Sequence, residues 1–337
     1  MAPIADRIRS EFAGRKIVIV GDLVADQFLK GTIDRVSREA PVFILRHDAT
    51  ETLPGGAANA AANVASLGGE ARLIGIVSED ENGRKLIGAL NGHRVGIGGV
   101  VKTKSRSTTT KVRVLAGQHY APRQQVIRID YESSEPIDVE LESQVIEHLE
   151  SYSVEAEAMI ISDYGCGVAT ERVKRVSASI AESRGIPLVI DSRSGLEDFA
   201  KATSATPNQE EVEKILGADF KAKDCEGLRK KLGLEALLVT LGNKGMLLVE
   251  RDNAPLTISA VGSSEPVDVT GAGDTVIAVY TLALAAEFSF ADAANLANHA
   301  GGIVVMKRGT AAVGIDELED SLSEYPSEGT VAGPAAG

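Results

Sequence analysis

The sequence predicts an α/β protein with a doubly wound, mostly parallel sheet covered by helices on both faces. Short β-branched runs alternate with helical patterns along most of the chain, and this alternation favours right-handed crossovers between parallel strands. Two regions, 31–53 and 103–130, lack helical periodicity and predict a small β-sheet lid. Polar residues follow several strands, at the sheet edge where α/β folds bind ligands.

The elements follow in chain order. The first strand is Lys16–Val20, and a helix of small residues follows at 55–67. The later strands are 71–77, 159–161, 187–190 and 236–240, and the later helices are 138–152, 168–184, 208–233 and 275–286.

The lid prediction comes from alternating polar and apolar residues at 110–115 and 125–130, which are typical of antiparallel strands. Residues 1–325 are expected to form one domain that includes this lid. The segment 326–337 is rich in Gly, Ala and Pro and is expected to be disordered.

The composition indicates a soluble globular protein, since 44% of its 337 residues are hydrophobic and 25% are charged. No apolar run is long enough to span a membrane, and the N-terminus has no secretory signal pattern. Cys166 and Cys225 form no metal-binding motif, and two isolated cysteines favour a reducing, cytoplasmic location. The absence of Trp and the net charge of −13 argue against a nucleic-acid partner.

One segment reverses this negative charge. Between Asn82 and Ile129 there is no acidic residue, whereas ten lysines and arginines occur there. A local positive surplus in an acidic protein favours a site for an anionic small molecule. The alternative, a solvated basic face, stays open on the charge pattern alone.

The segment 266–275, PVDVTGAGDT, predicts a phosphoryl-transfer site. A strand-like lead-in ends at Thr270, and the N–H groups of Gly271, Ala272 and Gly273 can approach an anion at a helix start. Asp274 follows directly and can accept the proton of an attacking hydroxyl. The alternative is a tight strand–helix turn in which Asp274 only complements the helix dipole.

Four motifs in order make the chain resemble a ribokinase-type (PfkB-type) sugar kinase from about Lys16 to Leu322. They are Pro54-Gly-Gly-Ala-Ala-Asn59, Asn208-Gln-Glu-Glu211, Thr240 to Gly245 as Thr-x-Gly-x-x-Gly, and Asp268 to Asp274. The resemblance implies a doubly wound domain with a β-sheet lid, an ATP substrate and a homodimer formed through the lid.

Within that family the chain is most similar to single-function heptose 7-phosphate kinases of lipopolysaccharide precursor synthesis. The matching stretches include 21–26, 35–42, 109–117, 124–130 and 161–165. The chain departs from the heptose-kinase pattern at Cys166, where a lysine is usual, and at Ser192-Arg193, where Pro-Lys is usual. It contains no His-x-Gly-His pattern of a nucleotidyltransferase half.

The resemblance implies roles for individual residues. Asp274 is the expected base, and the 271–273 N–H groups are the expected donors to the transferred phosphoryl group. The expected sugar ligands are Asp22, Asp26, Gly55, Gly56, Asn59 and Asp163. Lys111, Arg113 and Arg128 are the expected contacts of a substrate phosphate, although each could instead belong to a solvated strand face.

The expected nucleotide side consists of Asn208, Glu211, Thr240, Gly242, Gly245, Asn295 and Asn298. Glu211 is the expected Mg²⁺ ligand, and K⁺ is a possible further cation near the 268–275 turn. Asn208 could equally be a helix cap, and Asn295 and Asn298 could be amides at the edge of the core.

The residues weigh against several other functions. A kinase for an unphosphorylated sugar or nucleoside is the alternative activity, and a non-catalytic sugar sensor is less favoured because Asp274 and the glycines are present. The chain lacks the Gly-x-Gly-x-x-Gly motif that a dinucleotide-dependent oxidoreductase needs after its first strand. It also lacks a Walker A motif.

Overall fold

The computed structural model describes residues 4–118, 123–193, 195–199, 201–263 and 265–325. The predicted tail at 326–337 and residues 119–122 of the second lid region lie outside them.

The strands are β1 (Lys16–Gly21), β2 (Leu23–Val36), β3 (Phe43–Gly56), β4 (Glu70–Ser78), β5 (Gly96–Thr103), β6 (Thr110–Gly117), β7 (Gln124–Tyr131), β8 (Ala158–Asp163), β9 (Leu188–Ser192), β10 (Ser204–Ala205), β11 (Ala236–Thr240), β12 (Met246–Glu250) and β13 (Leu256–Ile258). The helices are α1 (Ile4–Phe12), α2 (Ala57–Ser66), α3 (Glu81–Gly92), α4 (Val139–Tyr152), α5 (Glu171–Arg184), α6 (Gln209–Leu216), α7 (Ala222–Leu232), α8 (Ala272–Ala285), α9 (Phe290–Val304) and α10 (Ile315–Glu324).

The large sheet has the order β13-β12-β11-β10-β9-β8-β1-β4-β5. All its pairs from β11 to β5 are parallel, and β12 and β13 add an antiparallel edge. Alternate residues of β1 belong to different cores: Ile17 and Ile19 pack with α2 and α8, whereas Val18 and Val20 pack with α4 and α5. Because both faces are buried, the strand is apolar throughout, and the predicted fold class is confirmed.

The lid is a four-stranded sheet in the order β3-β2-β6-β7. The pairs β2–β3 and β6–β7 are antiparallel, but β2–β6 is parallel, so the expectation of purely antiparallel pairing was wrong there. The first lid region is also longer than 31–53, because β2 begins at Leu23 and β3 continues to Gly56. Asp26 consequently lies within a lid strand rather than in a loop after β1.

Several predicted element boundaries need correction. The predicted helix at 208–233 is two helices, because α6 ends at Leu216 and the following Gly217 has a φ of 91°. The last predicted helix starts at Ala272 rather than at residue 275. The lead-in to Thr270 is a loop, not a strand: the N–H groups of Val267 and Asp268 both donate to the carbonyl of Val305 at the end of α9.

Two further expectations concern the environment of the chain. Among the described residues, the helices are too short or too polar to cross a bilayer. Cys166 and Cys225 are both buried free thiols, and burial raises the pKa of each to about 11. Both cysteines therefore stay protonated at neutral pH and are poor nucleophiles.

Candidate active site

Two cavities meet at the N-terminus of α8. The charged cavity has a volume of about 250 Å³ and lies between the lid and the ends of the sheet strands. The apolar cavity, of about 190 Å³, lies between the β11–β12 turn, the 260–269 loop and α9. Four residues line both cavities: Thr240, Val269, Ala272 and Gly273. The glycine-rich turn is thus the boundary across which a group can pass from one cavity to the other.

Gly271 gives the turn its shape. It is the N-cap of α8 in the left-handed region, with a φ of 79°, and a Cβ at this position would lie 2.5 Å from Nδ2 of Asn59. Only glycine fits both requirements without strain. The Ala272 N–H donates to the carbonyl of Val269 at 3.3 Å, whereas within the described residues the N–H groups of Gly271 and Gly273 have no acceptor. Two donors therefore remain for an anion at this helix start.

Asp274 lies in the first turn of α8 and borders the charged cavity. Its side chain is almost fully buried, and its two carboxylate oxygens accept from the Tyr164 hydroxyl at 2.6 Å and from Nδ2 of Asn59 at 3.0 Å. Burial raises the pKa of Asp274 to about 6, while these two hydrogen bonds act in the opposite direction. A carboxylate with this pKa is ionised at neutral pH and still basic enough to accept a proton.

The structure assigns Asn59 a different contact from the expected one. Asn59 was predicted as a sugar ligand, but its amide is committed to Asp274 and to the carbonyl of Gly271 at 3.3 Å. Asn63, one turn later in α2, donates to the Asn59 carbonyl at 3.0 Å. The Pro54–Asn59 motif thereby holds the Asp274 carboxylate as well as forming part of the cavity wall.

Asp22 and Asp163 were also predicted as sugar ligands, and neither lines the charged cavity. Asp22 accepts from the N–H groups of Tyr164, Cys166 and Val168 at 2.8–3.1 Å. Asp163 accepts from the Gly165 N–H and from the Ser192 hydroxyl, both at 2.9 Å. Both carboxylates instead fix the loop after β8, because each accepts at least two hydrogen bonds from residues of that loop or of β9.

Asp26 does face the charged cavity, where it forms a buried ion pair with Arg113. Gly55 lies beside it on β3, and a Cβ there would approach Oδ2 of Asp26 to 2.4 Å, so a larger residue would displace this carboxylate. Gly56 also lines the cavity. Burial raises the pKa of Asp26, and Arg113 opposes that shift.

The three predicted phosphate contacts have different environments. Lys111 and Arg113 are buried and line the charged cavity. Arg128 does not line it: β7 is exposed along its whole length, and the Arg128 guanidinium pairs with Asp130 at 2.9 Å. The strand alternation that predicted the lid could not distinguish the cavity-facing cations from the solvated one, which depends on how the lid packs.

Asn208 and Glu211 form a capping box at the start of α6, so the capping alternative is confirmed. The Asn208 side chain accepts from the Glu211 N–H at 3.0 Å, and the Glu211 carboxylate accepts from the Asn208 N–H at 2.8 Å. Both residues nevertheless line the charged cavity, and burial raises the pKa of Glu211. Nearby Thr206 also lines it, and its buried hydroxyl has no hydrogen-bond partner among the described residues. These oxygen atoms suit a hard cation such as Mg²⁺.

A ready-made metal cage is not present in the described part of the chain, which contains no cluster of three or more His, Cys, Asp or Glu side chains able to hold an ion. Magnesium commonly binds through one or two carboxylates together with substrate phosphates and water, so a single carboxylate suffices in such a site.

Four of the remaining predicted nucleotide residues line the apolar cavity, and one does not. Thr240, Gly242, Gly245 and Asn298 line the apolar cavity, and Asn298 also donates to the Ser259 carbonyl at 2.7 Å. Asn295 is half-buried on α9 and does not line it. The remaining lining is largely apolar, for example Met246, Val261 and Val276, which fits the flat face of a base.

Sequence reasoning left several polar residues of the charged cavity out of the predicted site, among them Tyr164, Asp191 and Arg193. Tyr164 lay only within the matching stretch 161–165, and its neighbour Asp163 was predicted as the ligand instead. Arg193 was noted only as a departure from a family pattern, yet its guanidinium carbon lies 3.9 Å from the centre of the Tyr164 ring. Their position directly after β8 and β9, at the carboxyl edge of the sheet, was the available signal.

Comparisons with known proteins identify the relatives of the chain as a whole. The family model described as pfkB family carbohydrate kinase matches residues 15–317. Among curated relatives, the bifunctional protein HldE of Caulobacter vibrioides is 37% identical over 94% of this chain and 65% of its own length. HldE of Geobacter sulfurreducens is 37% identical over 93% of this chain and 64% of its own length. The chain thus spans about two thirds of the length of these relatives.

Solved structures resemble the fold at low sequence identity. Arabidopsis thaliana ribokinase complexed with ribose and ATP has a TM-score of 0.70 and 20% identity, covering 92% of this chain and 99% of that one. Phosphofructokinase-2 from Escherichia coli in complex with potassium has a TM-score of 0.74 and 20% identity, with the same coverage.

Proposed function

The chain belongs to the pfkB family of carbohydrate kinases, and from that premise we propose its reaction and acceptor. It transfers the γ-phosphoryl group of ATP to a hydroxyl of a phosphorylated sugar. The proposed reaction converts heptose 7-phosphate into heptose 1,7-bisphosphate, a step in the synthesis of a lipopolysaccharide precursor.

One observation carries the proposal: a buried carboxylate with a raised pKa lies where an apolar cavity meets a charged one. The apolar cavity suits a nucleotide base, and the charged cavity suits a polar acceptor. Asp274 lies on the acceptor side of the boundary, beside the free N–H groups of Gly271 and Gly273. A non-catalytic sensor would not require a base in this position.

The chemistry then follows from the residues. Asp274 accepts the proton of the acceptor hydroxyl as that oxygen attacks the γ-phosphorus, and Asn59 and Tyr164 hold its two oxygens. The Gly271 and Gly273 N–H groups donate to the oxygens of the transferring phosphoryl group, and the dipole of α8 adds to this stabilisation. The bond from the γ-phosphorus to the bridging oxygen breaks, and ADP remains on the apolar side.

Magnesium is proposed as the accompanying cation. Glu211 and Asn208 would hold it through water and the ATP phosphates, and Thr206 offers a further buried oxygen. When bound, Mg²⁺ neutralises charge on the β- and γ-phosphates. A monovalent cation such as K⁺ near the 268–275 turn is a further proposal, since potassium accompanies the structurally similar phosphofructokinase-2.

The phosphorylated acceptor is favoured by the cationic wall of the charged cavity, which includes Lys111 and Arg113. The heptose assignment rests on the motifs shared with heptose 7-phosphate kinases and on the relatives named HldE. One observation favours the alternative, an unphosphorylated sugar. Arg113 is already paired with Asp26, and Lys111 lies 3.3 Å from Glu132, so neither cation is wholly available.

An ADP-release assay with paired acceptors tests the proposal. Heptose 7-phosphate is compared with free heptose, fructose 6-phosphate with fructose, and ribose and adenosine are included. The highest kcat/KM is expected for heptose 7-phosphate. A higher value for an unphosphorylated sugar or nucleoside would contradict the acceptor assignment and leave the carbohydrate kinase standing.

A homodimer formed through the lid is also proposed. The lid exposes large apolar side chains, including Val36, Phe43, Ile127 and Ile129, each at least 42% exposed. Both outer lid strands also present unpaired backbone groups, which a second lid could satisfy.

A further inference from the structure

We propose that Arg193 is the residue that recognises the anionic group of the acceptor, and that it thereby determines the preference for a phosphorylated sugar. The inference deepens the proposed function and rests on it. It moves phosphate recognition from the lid cations predicted by sequence to a residue at the carboxyl edge of the large sheet, directly after β9.

Arg193 is the cation of the charged cavity with the fewest commitments. Within the described residues, no carboxylate oxygen lies within 4.0 Å of its guanidinium, whereas Arg113 is paired with Asp26 and Lys111 with Glu132. An ion pair that is already formed offers less to an incoming anion, because its existing partner must be displaced or shared. Arg193 has no direct ion pair to exchange, since Asp191 and Asp274 attract it only at longer range. Its planar fork suits the oxygens of a phosphate.

The position of Arg193 is fixed from two sides. Its backbone N–H donates to the carbonyl of Asp163 at 3.1 Å, and the preceding Ser192 hydroxyl donates to the Asp163 carboxylate at 2.9 Å. Its guanidinium stacks on the Tyr164 ring, with 3.9 Å between Cζ and the ring centre. Stacking restricts the guanidinium through its face, so the N–H donors that do not interact with the Tyr164 hydroxyl stay available to a ligand.

Lys111 supplies a second charge near the same ring, at 6.0 Å from its centre. Tyr164 therefore lies near both cations, and its hydroxyl donates to Asp274. Arg193 contacts the Tyr164 ring and Asp274 contacts the Tyr164 hydroxyl, so an anion held by Arg193 is separated from Asp274 by this one tyrosine. Lys111 contributes to holding the anion at longer range. A sugar phosphate bound this way can direct a distant hydroxyl towards Asp274, which an unphosphorylated sugar cannot do with the same contacts.

The test is a specificity ratio. The kcat/KM for heptose 7-phosphate is divided by that for free heptose in the wild type, Arg193→Gln, Arg193→Lys and a matched surface control, Arg175→Gln on the exposed side of α5. Removal of a charge-assisted contact predicts a fall in the ratio of about 10- to 100-fold for Arg193→Gln. Arg193→Lys keeps the charge but not the planar fork and should be intermediate, and Arg175→Gln should match the wild type.

The specificity ratio distinguishes phosphate recognition by Arg193 from other roles of the same side chain. Any effect of Arg193 on Tyr164, on Asp274 or on the transferring phosphoryl group would change both acceptors equally and cancel. If the wild type prefers heptose 7-phosphate and Arg193→Gln keeps the full preference, the inference is wrong while the proposed function survives. If the wild type prefers free heptose, both are wrong. Isothermal titration of heptose 7-phosphate without ATP should show the same order of affinities among the variants.

Discussion

The apolar cavity and the charged cavity share a wall but differ in the interactions that they offer a ligand. The apolar cavity is lined by glycines and aliphatic side chains, so it selects by shape. The charged cavity is lined by three cations and several acids, so it selects by charge. Substitutions on the two sides should therefore change different kinetic constants, and only those at the shared boundary should change the chemical step.

The largest effect is expected at the boundary. Asp274→Asn keeps the shape of the side chain and removes the base, so kcat should fall by about 10²–10⁴-fold. ATP affinity, measured by titration, should be largely unchanged, because the apolar cavity is intact. A variant that kept more than about a tenth of the wild-type kcat would contradict the role of the base.

At high pH, Asp274→Asn should be at least as stable as the wild type. Because the pKa of Asp274 in the folded protein is raised to about 6, the folded state binds more protons than the unfolded chain between pH 4 and 6. Wild-type stability should thus fall, relative to Asp274→Asn, as the pH rises through this window and level off above it. Denaturant unfolding at pH 8 should show the variant to be as stable or more stable, by up to roughly 1–3 kcal/mol.

A second boundary prediction concerns Gly271→Ala. The new Cβ would meet Nδ2 of Asn59 in a left-handed backbone, so stability should fall by about 1–3 kcal/mol. Activity should fall as well, at least about 10-fold, since Asn59 would no longer hold Asp274. Gly88→Ala in α3 is the matched control, because a Cβ there meets nothing within 4 Å. Equal behaviour of the two variants in unfolding and turnover would refute the strain argument.

On the charged side, Glu211→Gln should raise the Mg²⁺ concentration for half-maximal rate roughly 10-fold, since a charged ligand is lost. Glutamine can still accept from the Asn208 N–H, so the start of α6 should persist. Glu213→Gln, two residues later, is the control for a charge change on the same helix. An unchanged metal titration would remove Glu211 from the magnesium site.

The smallest effect on catalysis is expected at the lid surface, far from the boundary. Light scattering at micromolar concentration should give twice the chain mass of 35.3 kDa. Ile127→Lys should shift this mass towards the monomer, because it places a charge on the exposed face of β7. A strictly monomeric wild type would contradict the proposed homodimer.

The sequence predicted most accurately where the physics is local. Three features each depend on neighbours within a few residues: the β-branched run of β1, the capping residues of α6 and the glycines before Asp274. Local patterns also predicted both lid regions. Local patterns could not separate the capping interpretation of Asn208 from the functional one. In the structure Asn208 caps α6 and also lines the charged cavity.

The sequence predicted least well where a side chain has several partners from distant segments. Asp22 and Asn59 were assigned to the sugar, but loop N–H groups after β8 occupy Asp22, and Asp274 occupies Asn59. Arg113 and Arg128 look alike along the chain, yet one is buried against Asp26 and the other is exposed. Such differences arise from contacts between the lid and the sheet, which no local pattern contains.

The pH dependence of kcat/KM in the wild type tests the central claim most directly. If buried Asp274 must be ionised to accept the proton, the rate should be constant near pH 7–8 and decline on the acid side with an apparent pKa of about 6. Below that pH the rate should fall about tenfold per unit, because the protonated carboxyl cannot act as a base. A profile that stays flat from pH 7 to pH 5, in an enzyme that remains folded, would contradict the account.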